Sequence, residues 1–388
     1  MKNFGNQVQF KVYQNMPSPD PNRLPVVYEE WEERAREVLE EGPFYYVAGG
    51  AGGESTMQAN LQAFQRWKIV PRMLRNVEER DISIELFGQG YSSPLLLAPI
   101  GVQSIIHPEG EIAAARACAA MKIPYIASSA STKPMEEIAE SMGDAPKWFQ
   151  LYWNKDPEVT ASFLTRAEEA GYSAIVVTLD TAMMAWREQD LKNVYLPFLI
   201  GEGVGNYFTD PAFCSNLEES PEEDPAAAIM HWTQTFGNPS LTWEDLAFLR
   251  KHTSLPILLK GILHPDDAKL AVEHGVDGII VSNHGGRQVD GAIGALEALP
   301  QVCEAVEGKI PVLMDSGIRR GSDVVKALAL GAKAVLVGRP CMYGLAVAGE
   351  EGVREVLQNM LADTDLTLAL AGERAIRELN QSNLKKDE

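Results

Sequence analysis

Residues 278–291 read GIIVSNHGGRQVDG, an apolar run of strand type that stops on Ser282, His284, two glycines and Arg287. Seven other apolar runs in the chain end in a related way. Four of the eight present polar or glycine pairs two residues apart: Gln150/Tyr152, Thr178/Asp180, Ser282/His284 and Asp315/Gly317. Side chains at i and i+2 of a strand point to the same side, so each pair faces one way. Other runs stop at Pro99, Ile100 and Gly101, at Ser128, and at Lys260. The last two ends, MDSGIRRGSD (Asp315, Ser316, Gly317, Ile318, Arg319) and LVGRP (Gly338, Arg339), combine glycine with arginine. Glycines let backbone N–H groups approach a ligand, a following helix N-terminus favours an anion, and a guanidinium adds a charge-assisted bond. These two ends therefore suit a phosphate-bearing ligand or cofactor. A single Ser or Thr at a strand end is ordinarily a cap or turn residue, and a lone Asp or His a satisfied structural group. Eight loaded ends gathered on one rim point instead to a binding site.

Such a rim requires a particular set of elements. From Leu95 to about Pro340, short apolar runs alternate with helical patterns such as EGEIAAARACAAM and GSDVVKALALG. Runs that are apolar throughout, rather than alternating, belong to a parallel sheet covered on both faces. Eight of them, each followed by a helix or long connection, predict an α/β chain folded as a (β/α)8 TIM barrel, whose active site lies at the C-terminal strand ends. A doubly wound open sheet is the alternative. Residues 1–90 read as an N-terminal helical or irregular extension, and 91–379 as the barrel. A long lid insertion after the fourth strand, about 183–254, contains FLIGEGVGNYFTDPAFCSN and an acidic EESPEEDP tip. The tail at 380–388 is polar and expected to fray. In YEEWEERAREVLEEG, Trp31, Ala35, Val38 and Leu39 share one helical face, with Gly42–Pro43 as the stop.

Composition narrows the classes of partner. The chain has 388 residues, and 54 acidic against 34 basic side chains give a formal net charge of −20. A field of that sign disfavours nucleic acid and anionic membrane surfaces, and an anionic substrate must be held by a local positive pocket. The four cysteines form no C-x-x-C pair, the N-terminal residues show no hydrophobic signal segment, and no apolar run is long enough to span a bilayer. The expected compartment is the cytoplasm. GGAGGE at Gly49–Glu54 follows no strand, so a nicotinamide loop is not supported; a Walker loop is absent, and no metal-ligand cluster stands out.

The motifs SNHGGRQVDG, LKGI, DSGIRRGSDVVKALALGA, VGRP, FQLYW and TLDTAMMAWREQDL closely resemble the FMN-dependent α-hydroxy-acid oxidase and dehydrogenase family. The likeness runs from YYVAGGAGGE to the tail. It implies FMN as cofactor, His284 as the active-site base and Asp180 as the carboxylate that orients it. By the same resemblance Arg187 and Arg287 hold the substrate carboxylate, and Tyr46 and Tyr152 donate hydrogen bonds. Pro99, Ile100, Gly101, Ser128, Gln150 and Thr178 touch the flavin, with Lys260 at its N1–C2 edge and Ser282 beside the ring. The phosphate is expected among Asp315, Ser316, Gly317, Ile318 and Arg319 and at Gly338–Arg339. Family members of this type resemble homotetramers or octamers. These residue types suit the reaction, because a positioned base supplies on the order of 10² to 10⁴ in rate and an arginine fork matches a carboxylate in two places.

Within the family, Gly101 stands where most members carry Ala, and this and several other stretches resemble the lactate 2-monooxygenase branch. That branch decarboxylates its keto-acid product in the site, so the resemblance implies conversion of L-lactate and O2 to acetate, CO2 and water. The insertion is then a lid slowing product escape, with Tyr207 as a substrate contact. The alternatives are an oxidase releasing pyruvate and hydrogen peroxide, and a catalytically silent flavin-binding barrel. Ala130, Met183–Met184 and the DSG in place of D-G-G depart from the family pattern and bear on chain-length preference.

Overall fold

The computed structural model describes residues 3–14 and 23–387. Eight parallel strands close into a barrel: β1 (Leu95–Leu97), β2 (Tyr125–Ser128), β3 (Lys147–Tyr152), β4 (Ile175–Thr178), β5 (Ile257–Ile262), β6 (Gly278–Val281), β7 (Val312–Met314) and β8 (Ala334–Val337). Each pairs with its sequence neighbours, and β8 closes on β1. These are the eight apolar runs, and the fold is the TIM barrel the sequence predicts.

Strand parity divides the core in two and explains the site above it. Leu96, Ile126, Trp148, Val176, Leu258, Ile280, Leu313 and Leu336 cluster in the barrel interior. Their strand neighbours, such as Leu97, Phe149, Val177 and Val281, belong to the larger cluster shared with the surrounding helices. Burying each such aliphatic side chain contributes roughly 1.5–3 kcal/mol. Continuing upward from the interior residues in steps of two gives Ser128, Gln150 then Tyr152, Thr178 then Asp180, Lys260, Ser282 then His284, Asp315 then Gly317, and Gly338. The interior column thus changes from apolar to polar at the C-terminal mouth. The hairpin Ile84–Leu86/Gln89–Tyr91 packs Leu86 and Tyr91 into the opposite part of this cluster, with Tyr91 edge-on to Trp148 at 6.4 Å.

Two expectations change. The helix Tyr28–Val38 buries Trp31 and Ala35, but Val38 is exposed, and Gly42–Pro43 opens a second helix, Glu41–Ala48, rather than stopping the chain. Proline is favoured in a first helical turn because its missing N–H is not needed there. The C-terminal tail does not fray at Leu379: Leu384–Lys386 pairs antiparallel with Trp67–Ile69, and Asn383 bonds the buried Glu373. The insertion is a series of short helices, including Gly205–Phe208, Pro211–Cys214 and Pro225–Thr235, each of the last two capped by an aspartate. Parts of the expected extension (1–2 and 15–22) and the last tail residue lie outside the described residues. No helix among the described residues is long and apolar enough to cross a membrane.

Candidate active site

A cleft of about 1270 Å³, counting its open mouth, lies at the C-terminal end of the barrel. On one side it is walled by the turn after β6. There His284, Gly285 and Gly286 all adopt left-handed backbone (φ 59°, 66° and 78°), so the two glycines make a tight turn that the histidine alone joins under strain. Ser316, itself at φ 77°, receives the Gly285 N–H at 3.0 Å and donates to Asp315 Oδ1, so its hydroxyl ties the β7 end to this turn. Here the DSG departure has a structural use.

His284 Nδ1 lies 2.7 Å from Asp180 Oδ1 and both side chains are mostly buried, which leaves Nε2 as the ring nitrogen available to the cleft. Burial lowers the His284 pKa below the usual histidine value, with Asp180 opposing and Lys260 and Arg287 adding to the fall. Burial raises Asp180, but the charges of His284 and Lys260 and bonds from His284 and Thr181 outweigh it, so the carboxyl titrates below its ordinary range. The result is a neutral imidazole beside an ionised carboxylate near pH 7, the arrangement of a general base. Gln288 donates to the Asp180 carbonyl at 2.7 Å and fastens the two strand ends together.

Arg187 and Arg287 stand over the Tyr46 ring, their guanidinium carbons 5.3 and 5.1 Å from its centre. Arg287 Nη1 donates to the backbone oxygens of Tyr46 and Gly49, which fixes its orientation. Tyr152 lines the same part of the cleft, its hydroxyl pushed well up by burial and by Asp180 and therefore a donor at any physiological pH. Two guanidinium groups and two phenols facing one small space suit a carboxylate.

Deeper in, Lys260 is buried, bonded to Ser282 Oγ at 2.9 Å and paired with Asp315 Oδ2 at 3.2 Å. Burial lowers its pKa, but the Asp315 and Asp180 carboxylates more than compensate, so it remains a cation. Ser128 Oγ donates to Gln150 Oε1 at 2.8 Å, while Gln150 Nε2 is buried without a partner among the described residues. Such an orphan donor is costly and fits a ligand acceptor lying over it. Pro99, Ile100 and Gly101 form the facing wall. A Cβ on Gly338 would meet nothing nearer than Ile100 Cδ1 at 3.5 Å, so the space beside its backbone belongs to the cleft. Gly338 precedes a helix beginning at Arg339 with no side-chain cap; Pro340 has no N–H and the Cys341 N–H bonds the Gly338 carbonyl, so the Arg339 N–H is the one left for an anion. Gly317, Ile318, Arg319 and Arg339 line that same end, and Arg319 Nε has no partner among the described residues. A planar ring system with a phosphate arm fits these donors. Arg339 also donates to the Val47, Gly285 and Gly49 carbonyls at 2.9 Å each, joining the Tyr46 helix to the His284 turn.

Tyr207 is the clear correction. It is wholly buried, edge-on to Phe163 (4.9 Å), Phe213 (5.6 Å) and Trp232 (6.2 Å), and does not line the cleft. Its aromatic neighbours in the insertion make it core. Ser128, Gln150, Thr178 and Ser282 sit at the strand ends at the base of the cleft, deeper than the residues that wall it. Residues not foreseen include Phe198 and Phe236, which stack on Trp232 and form the outer wall, and Asp190, paired with Arg187. The insertion has no strand-end periodicity that marks its aromatics as wall rather than core.

Comparison with protein families matches residues 35–386 to the FMN-dependent dehydrogenases. The chain is 48% identical to an L-lactate oxidase of Lysinibacillus sphaericus over 365 residues, 94% of each protein. It is 42% identical to 2-hydroxyacid oxidase 1 of Homo sapiens, covering 92% of this chain and 96% of that one. Among solved structures, a mandelate oxidase superposes with a TM-score of 0.84 at 39% identity, over 94% of this chain and 99% of the other.

Proposed function

The chain belongs to the FMN-dependent α-hydroxy-acid oxidases and dehydrogenases, and from that premise we propose that it oxidises a small L-2-hydroxy acid with O2, L-lactate first. The products in this reading are the 2-keto acid and hydrogen peroxide. The observation that carries it is the 2.7 Å His284–Asp180 pair in a cleft that also presents Arg187 and Arg287. Arg187, Arg287, Tyr46 and Tyr152 bind the substrate carboxylate, which orients the hydroxyl-bearing carbon. His284 accepts the substrate proton at Nε2, and Asp180 steadies the resulting imidazolium through Nδ1.

FMN, when bound, takes up the two electrons leaving the hydroxy acid and passes them to O2. Pro99, Ile100, Gly101, Lys260 and Ser282 would hold its ring, with Ser128, Gln150 and Thr178 beneath. Asp315–Arg319 and Gly338–Arg339 would hold its phosphate. Lys260, kept protonated by its two carboxylate neighbours, supplies a cation where negative charge gathers.

In-site decarboxylation to acetate, CO2 and water is the second reading, favoured by Gly101 and by the aromatic wall at Phe198 and Phe236. Gly101 has a packing reason of its own, since a Cβ there would stand 2.4 Å from the Ala130 carbonyl oxygen. The relatives named as lactate and 2-hydroxyacid oxidases also support product release over retention. Products of L-lactate plus O2 decide between them: one pyruvate and one peroxide per O2 supports the oxidase, whereas acetate and CO2 without free peroxide overturns it.

A further inference from the structure

Arg187 begins a short helix, Glu188–Lys192, and Asp190 sits one turn along it. Arg187 Nη1 is 3.2 Å from Asp190 Oδ2, and each side chain is only 12% exposed. Asp190 does not line the cleft, so its carboxylate lies behind the guanidinium that does. It also acts on the second arginine: burial outweighs the pull of Arg187 and Arg287, so the Asp190 carboxyl titrates above the usual aspartate range, and once ionised it supports the charge of Arg287. Arg287, by contrast, spends its Nη1 on neutral backbone oxygens. Two cations therefore face the substrate space with one carboxylate behind them, an ion pair by distance whose Oδ2 has no hydrogen-bond partner among the described residues.

We infer that Asp190 is a specificity-determining residue that lowers the charge presented by Arg187 and Arg287 to that of a single cation, matching the cleft to monocarboxylates over dicarboxylates. The inference rests on the reading of Arg187 and Arg287 as the carboxylate anchor. Asp190 repels every negative charge that the two arginines attract, so a dianion feels it twice as strongly as a monoanion. A residue that merely held Arg187 in its orientation would affect both ligands alike.

Oxamate and oxalate share size and shape but carry one and two charges, and neither is turned over. Titration into the FMN-loaded enzyme at pH 8, followed by the flavin absorbance spectrum, gives their dissociation constants. In Asp190→Asn, oxamate is expected to tighten roughly tenfold and oxalate about a hundredfold, the square, from simple Coulomb scaling. Asp190→Glu keeps the charge and is expected to keep the wild-type oxalate-to-oxamate ratio. An unchanged ratio in Asp190→Asn, or equal weakening of both ligands, overturns the inference while leaving the anchor intact. If neither anion perturbs the wild-type flavin or competes with lactate, the anchor reading itself fails and the inference with it.

Discussion

His284 and Asp180 lie 104 positions apart in the chain and meet because each stands four residues above an interior barrel residue, Ile280 and Val176. Asp180 favours the protonated ring, so its removal must lower the His284 pKa further. In Asp180→Asn, turnover is expected to fall on the order of 10² to 10⁴, and the acid limb of the kcat/KM profile is expected to move to lower pH. A limb that stays where it is or moves up in a pH–rate measurement would contradict the pairing. Strand parity made legible the side on which each residue stands, whereas the pairing of His284 with Asp180 was implied by the family resemblance. The i, i+2 pattern alone sets Gln150 with Tyr152 and Ser282 with His284. Tyr207 was misjudged for the converse reason: the insertion has no such parity, and an aromatic there packs as readily inward as toward a ligand.

The strand ends are held to one another by polar clamps. Gln288 bonds the Asp180 carbonyl at 2.7 Å and the Met183 carbonyl at 3.3 Å. Gln288→Leu keeps the bulk and removes both donors, and is expected to lower kcat/KM about tenfold with little change in denaturation midpoint, roughly the worth of one or two hydrogen bonds. Asn206, fully buried in the insertion, receives the Met135 N–H and donates toward the Ser128 and Ser129 carbonyls and Ser131 Oγ. Asn206→Ala is expected to cost about 2–4 kcal/mol in denaturant unfolding, because several buried groups lose their partner at once. Weaker FMN retention should accompany it, since Ser128 ends the strand beside Gln150. The insertion is thus bolted to the β2 end through a side chain, a long-range bond that no sequence period announces.

At the scale of the whole molecule, eight apolar runs sufficed to specify the barrel, because a strand buried on both faces leaves little choice but a parallel sheet under helices. The separate pair Trp67–Ile69/Leu384–Lys386 was not legible, since three-residue strands are too short for alternation to mark them. The net charge of −20 opposes an anionic substrate, while Arg187 and Arg287 are proposed to attract it at contact range. Salt screens the distant field more than the contact, so raising ionic strength from about 0.01 to 0.15 M is expected to lower the KM for lactate up to about threefold. A KM that rises with salt would assign the attraction to long-range steering instead.

The most direct test is anaerobic mixing of L-lactate with the yellow enzyme, followed at the flavin band in a stopped-flow instrument, for wild type and His284→Ala. The expected result is rapid bleaching of wild type and, in the variant, retained flavin that bleaches at least about 100-fold more slowly. Bleaching of His284→Ala near the wild-type rate, or a wild-type flavin that lactate leaves oxidised, would contradict a barrel mouth built around this imidazole.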